Sequence, residues 1–243
     1  MNYAFKLLAV LTAAAVFAPD ATAAYEEIEV TNGGMIVGNV DIGSARPRTA
    51  RKTVSKNVEV CGEGTREVPL VRANGEALLD AVVYLDRVPR GKPFPAATKK
   101  ITINQKRCAF DPYLSVLAEG GELEAVNSDP ILHNIHTYEV VGPLRRTVMN
   151  VSQPEFGNIV TKKISLPEGV GMRVECDAHN FMLGFVFVAR NPYFAVVDHR
   201  GRFEIRDVPP GKYTIRVWHG VLGNRKAKIS VRRADTTSIT FAY

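Results

Sequence analysis

Apolar and polar side chains alternate with a period of two in short runs along most of the chain, and the runs end at Gly, Pro, Asn or Asp. This pattern predicts strands over residues 35–40, 58–61, 81–85, 101–103, 114–117, 123–126, 134–138, 163–166, 173–176, 184–188, 194–197, 202–205, 213–218, 228–231 and 237–241. No long helical periodicity is present, and residues 153–156 give a weak helical signal. Many short strands at close spacing predict an all-β chain made of sandwiches or barrels. Residues 46–56, basic and rich in Ser and Thr, read as an exposed loop, and residues 91–100, with Pro93 and Pro95, as a linker.

The first residues break the pattern. Lys6 precedes an apolar stretch over residues 7–18, and Ala21-Thr22-Ala23 has the small-x-small form of a cleavage site. Residues 1–23 are therefore expected to be a signal peptide, with the mature chain starting near Ala24. The stretch is too short for a membrane span, and no later segment has the length or apolarity for one. The expected product is an exported, soluble protein, most simply of a bacterial periplasm. The roughly 220 residues left suffice for two modest domains or one large β domain.

The formal charge is +6. Basic residues come in dispersed pairs: Arg51-Lys52, Lys99-Lys100, Arg145-Arg146, Lys162-Lys163 and Arg232-Arg233. Two readings stand: a solvated basic surface, or steering toward an acidic redox partner. No nucleic-acid-binding motif is present, and export removes the chain from nucleic acid. Cysteine is odd in number, at 3. One bridge plus one functional thiol is the economical solution in an oxidising compartment, with Cys61 and Cys108 as the candidate disulfide. The alternative is a second metal site at Cys61 and Cys108, although no His lies near either in sequence.

The remaining cysteine sits in the run Cys176-Asp177-Ala178-His179-Asn180-Phe181-Met182. Upstream, the turn Asn127-Ser128-Asp129-Pro130 leads into a strand carrying His133 and His136. Two imidazoles, one thiolate and one thioether make the ligand set of a blue-copper electron-transfer centre, a trigonal His₂Cys plane with a weak axial Met. Thiolate and thioether suit Cu(I), imidazole suits both oxidation states, and a geometry held between the two limits keeps reorganisation small. Zinc is the rival metal, because Cys and His bind it too; the single thiolate with a Met favours copper.

The spacing Cys-x-x-His-x-x-Met-x-Gly, together with His133-Asn134-Ile135-His136 upstream, resembles the two ligand runs of amicyanin-type cupredoxins. Residues 101–104, Phe110-Asp111-Pro112, 116–121 and 123–127 look like the opening strands of that fold, so the resemblance covers roughly residues 98–189. It implies a Greek-key β-sandwich holding one copper ion in a type 1 site. His133, Cys176 and His179 would be the strong ligands and Met182 the axial one. Asn134 would tie the two ligand runs together, and His136 would match a position that is not a ligand. It further implies that His179 is the electron exit, surfacing through an apolar patch to which Phe181 and Leu183 belong. The family has prolines beside the second His, where this chain has Ala178 and Asn180. Family aromatics before the Cys are replaced by Met172 and Val174. These departures bear on the redox potential more than on copper binding.

The flanks look alike in another way. Asp198-His199-Arg200-Gly201-Arg202-Phe203 and Val208-Pro209-Pro210-Gly211-Lys212-Tyr213 resemble the second half of a carboxypeptidase-regulatory-like (transthyretin-like) β-sandwich. Residues 34–40 and 74–85 resemble its opening strands. The expectation is an all-β chain in which a cupredoxin unit, residues 98–189, is inserted into a second small sandwich made of residues 24–97 and 190–243. Three consecutive small units are the alternative. No carboxylate pair or Ser/His/Asp order reads as catalytic, so no enzymatic activity is expected. His219, beside Trp218, reads as an ordinary packed or surface residue. The leading expectation is an electron carrier between redox proteins, for example from a dehydrogenase to a cytochrome c, with amine (methylamine) oxidation as the setting the resemblance suggests. The alternatives are a copper-delivery protein without redox turnover, and a carbohydrate- or protein-binding sandwich with a vestigial site.

Overall fold

The computed structural model describes residues 25–243; the expected signal peptide, residues 1–23, lies outside them. The described residues are nearly all β: a sandwich of two facing sheets is accompanied by a second, smaller β-sandwich. One sheet of the first sandwich runs Phe110–Asp111, Lys100–Gln105, Glu122–Asn127, Ile159–Lys163. The facing sheet runs Leu114–Ala118, Leu183–Ala189, Gly171–Glu175, His133–Val141, Leu144–Gln153. Inward residues of both sheets, among them Ile103, Leu117, Leu123, Ile135, Val174 and Phe187, fill a common core. Strand Leu183–Ala189 is buried at every position, which is why its sequence reads as a continuous apolar run.

The second sandwich draws strands from both ends of the chain. Ala81–Asp86 lies between Phe194–Val196 and Gly211–His219, and Gly34–Asp41 lies between Arg202–Val208 and Thr236–Ala242. Its core is separate, built on Ile36, Leu78, Val83, Leu85, Tyr193, Ile215 and Val217. Trp218 joins the two bodies: its ring lies 6.2 Å from that of Phe185 and 5.7 Å from that of Phe187. The contact is close enough that a Cβ on Gly171 would stand 2.3 Å from the indole, so only glycine fits there.

Four local expectations are corrected. Residues 58–61 form a short helix, not a strand, with Cys61 N–H donating to the Asn57 carbonyl at 2.8 Å. Val58 and Val60 imitate alternation, but only Cys61 of this turn is buried. The expected loop 46–56 contains strand Arg48–Thr53, paired with Thr65–Val71 in a hairpin. Its exposed, charged side chains hide the pairing. The strand expected at 163–166 is displaced to Ile159–Lys163; Ile164 and Leu166 beyond it are buried, and Ile164 exchanges backbone hydrogen bonds with the Gly120–Gly121 turn. Residues 153–156 are not helical, and Gln153 instead ends the long strand Leu144–Gln153, which the alternation did not reveal. That strand pairs on one side only and carries Arg145 and Arg146 outward, as edge strands do.

His219 is buried in the second sandwich. Its Nδ1 accepts from the Val221 and Leu222 amides, both at 3.1 Å, and its Nε2 has no protein partner. Burial pushes its pKa down to about 4. The unfolded chain takes up this proton near 6.5 and the folded chain only near 4, so the neutral ring supports the fold above pH 6.5 and its protonation opposes it below. We expect thermal stability to fall as pH drops through that window, by on the order of 3 kcal/mol for this group. His219→Asn keeps an acceptor at the Nδ1 position and should flatten the slope; an unchanged pH profile of melting would exclude His219 as its source.

Candidate metal centre

Two elements bring the site together. Strand His133–Val141 begins at the first His, and the loop after strand Gly171–Glu175 carries Cys176, His179 and Met182 before Leu183–Ala189 resumes the sheet. The two flanking strands pair with each other, and Gly171–Glu175 pairs with His133–Val141, so the loop returns beside the first His. Inside the loop, His179 N–H donates to the Cys176 carbonyl at 3.2 Å and Met182 N–H to the His179 carbonyl at 3.0 Å. These turns are what a Cys-x-x-His-x-x-Met spacing needs to aim several side chains to one side.

His133, Cys176 and His179 are brought to a common point and are almost wholly buried. His133 Nδ1 lies 3.1 Å from His179 Nδ1; Cys176 Sγ lies 3.9 Å from the first and 3.6 Å from the second. A point equidistant from these three atoms lies about 2.1 Å from each, the length of a metal–imidazole bond and close to that of a metal–thiolate bond. Met182 is buried, in the same hydrophobic core as Cys176. His136 is not part of the group: its ring stacks on Tyr138 and bonds Asp177 and Thr147.

The outer nitrogens decide what the inner ones are. His133 Nε2–H donates to Asp129 Oδ2 at 2.9 Å, and His179 Nε2–H donates to Asn57 Oδ1 at 3.0 Å. Each neutral ring then has its only lone pair on Nδ1, and the two lone pairs face each other at 3.1 Å beside a sulfur. Such a pair is mutually repulsive until a cation stands between its members. Burial holds both imidazoles below their usual pKa, His179 at about 4, where His133 and Lys56 add to the effect. Both are therefore neutral, ligand-ready bases at neutral pH. Burial raises the Cys176 thiol, and the amides of Asn134, Ala178 and His179 pull it back. A bound cation supplies the charge that makes it a thiolate. The donor set of two imidazoles and one thiolate thus fits one soft or borderline metal ion.

Asn134 ties the two ligand runs. Its backbone N–H points at Cys176 Sγ at 3.4 Å, its Oδ1 accepts from the Asp177 amide, and its Nδ2 donates to Asn150 and Asp177. Two participants were not singled out by the sequence. Asp129 sits four residues before His133, and its carboxylate also accepts the Arg107 and Cys108 amides. Burial alone would raise its carboxyl, but the Cys108, His133 and Arg107 hydrogen bonds together hold it below the usual range. An acid four residues before a ligand His was the available signal, hidden in what reads as a turn. Asn57 lies 122 residues from His179, and nothing local announces it.

Cys61 and Cys108 are joined as a disulfide, so neither offers a thiolate to a second metal. The expectation that His179 surfaces among apolar residues is corrected: His179, Phe181 and Leu183 are all buried. Asn57 stands against the outer nitrogen of His179, its Oδ1 3.0 Å from Nε2.

No protein-family profile matches this chain, and no curated protein does. Among solved structures it is similar to a purple cupredoxin from Nitrosopumilus maritimus, at 19% identity and a TM-score of 0.31, over 36% of this chain and 98% of that one. It is similar to a single-site mutant of amicyanin in its Cu(I) form, at 16% identity and a TM-score of 0.30, over 39% of this chain and 86% of that one. It is also similar to the copper-containing nitrite reductase NirK from Thermus scotoductus SA-01, at 19% identity and a TM-score of 0.30, over 49% of this chain and only 25% of that one. Likenesses this low carry no functional weight. Among the described residues no helix is long and apolar enough to cross a membrane.

Proposed function

We propose that this protein is an exported, periplasmic carrier of single electrons that holds one copper ion in a type 1 site. His133, Cys176 and His179 are the strong ligands and Met182 the weak axial one, with Asn134 and Asp129 orienting them. Residues 98–189 form the copper unit, and residues 24–97 with 190–243 form the sandwich that carries it, apart from the hairpin Arg48–Thr53/Thr65–Val71, whose inward side packs with the copper unit's core. The observation that carries the reading is the triangle of two imidazole nitrogens and one sulfur sharing a centre about 2.1 Å away.

Supporting it, each of the three strong ligands is held by a second contact, as electron transfer with little rearrangement requires. Asp129 and Asn57 fix the rings, and amide N–H groups fix the sulfur and withdraw charge from it, which raises the potential. A cover over His179 also slows loss of the ion, which favours a resident cofactor over copper delivery. The redox partners fit the class of dehydrogenase donor and cytochrome acceptor.

Met182→Gln tests the axial assignment. The variant should keep copper and its thiolate colour, while its potential falls by more than about 60 mV, a tenfold change for one electron. An amide oxygen, harder than a thioether, favours Cu(II). Loss of copper altogether, or an unmoved potential, would remove Met182 from the ligand set.

A further inference from the structure

The outer edge of His179 is closed by a segment that the rest of the copper unit does not supply. Asn57 is held with φ 50° and ψ 44°, a left-handed conformation that asparagine tolerates better than most residues. Its Oδ1 accepts from His179 Nε2–H, and its carbonyl accepts the Cys61 amide. Cys61 is bonded to Cys108, and Val54, Cys61 and Val68 are buried in the same core as Phe181 and Met182. The cover is thus clamped at a covalent bridge and two apolar side chains. Asn57 itself is partly exposed, so it is the group that lies between the ring and solvent.

The surroundings of Asn57 are cationic. Lys56 adjoins it and is exposed. Arg66 lies over the Phe181 ring, 5.2 Å from its centroid, and donates to the Arg107 and Cys108 carbonyls. Lys106 and Arg107 are exposed beside it, lining one shallow depression with Arg66. The field of Lys56 and Arg66 reaches the His179 ring, where it opposes protonation. Glu59 and Glu63 are exposed on the same segment, and Asp111 borders the depression; apart from His133 and Asp129, the charged groups whose fields act on the His179 ring are the cations Lys56 and Arg66.

We propose that electrons enter and leave through this cover, centred on Asn57 and flanked by Lys56, Arg66 and Arg107, and that the partner presents an anionic face to it. The inference rests on the copper reading above and specifies its contact surface. The route from the ion runs through the His179 ring and the Nε2–H···Oδ1 bond to Asn57, in place of a solvent-facing imidazole edge. An apolar patch around the ring, which would suit a partner of any charge, is replaced by a surface that selects by charge.

The test is stopped-flow oxidation of the copper(I)-loaded full chain by two one-electron oxidants, hexacyanoferrate(III), an anion, and tris(phenanthroline)cobalt(III), a cation. Each accepts one electron from Cu(I), leaving Cu(II). Lys56→Glu should slow the anionic oxidant roughly fivefold at low ionic strength and speed the cationic one by a similar factor, both effects fading at high salt. Arg233→Glu makes the same charge change after strand Gly223–Val231 of the other sandwich and should alter either rate by less than about twofold. Equal effects of the two variants, or no effect of Lys56→Glu, would overturn the proposed surface while leaving the copper centre standing. A wild-type chain that takes up no copper would instead overturn the centre itself, and the surface with it.

Discussion

Cys176→Ser is expected to abolish the intense visible colour of the Cu(II)-loaded protein and to weaken copper binding by more than about 100-fold, beyond the range seen when a group that merely orients a ligand is lost. The colour of a type 1 centre comes from charge transfer out of the thiolate sulfur, and Cys176 carries the one free thiol of the chain. A serine hydroxyl does not ionise at neutral pH even beside a bound cation of this kind, so two neutral imidazoles are left to hold the ion. The apoprotein itself should fold normally. Serine is close to cysteine in volume, and the Asn134 amide that points at the sulfur can donate to a hydroxyl oxygen. The measurement is a copper titration followed optically, beside a melting curve. Retained colour would exclude Cys176 as the ligand.

The second large effect is expected from removing the bridge. The Cys61→Ser/Cys108→Ser double variant frees a cross-link spanning 47 residues. Loop entropy assigns such a bridge about 4 kcal/mol, which for a chain of this size corresponds to a melting point lower by roughly 10 °C. The effect should not stop at stability. Cys61 anchors the turn that presents Asn57 to His179, and the Cys108 amide donates to the carboxylate that orients His133. One bridge therefore supports the outer contacts of both imidazole ligands. Metal-free Cys176, now 3% exposed, should become alkylated faster in the double variant, in step with the loosened cover. A double variant that melts within a degree or two of the wild type and protects Cys176 equally well would show that the bridge neither stabilises the fold nor holds the cover.

What the sequence disclosed follows from how local each cause is. Strands with one buried face, such as Glu122–Asn127 and Gly34–Asp41, were legible because the core imposes alternation on them. Arg48–Thr53 and the first half of Leu144–Gln153 were not, since both faces there meet solvent or charge. The convergence of Cys176 and His179 was legible because a tight loop fixes the spacing of the side chains it aims within a few residues. His133 stood out through its Asn-x-His neighbours, and Asn134 with it. Asp129 and Asn57 remained hidden for different reasons. Asp129 lies in a segment whose turn chemistry accounts for an aspartate without any metal. Asn57 meets His179 only because a hairpin folds over the site and a disulfide fastens it there. The burial of His179 followed from the same long-range event.

The central claim is tested most directly by the optical and electron-spin-resonance spectra of the purified wild-type chain after addition of one equivalent of Cu(II). The predicted result is a strong thiolate-to-copper band in the visible, with the compressed parallel hyperfine splitting that a sulfur-bound, trigonal copper shows. Weak ligand-field bands with a wide splitting, or copper that washes away on gel filtration, would contradict it.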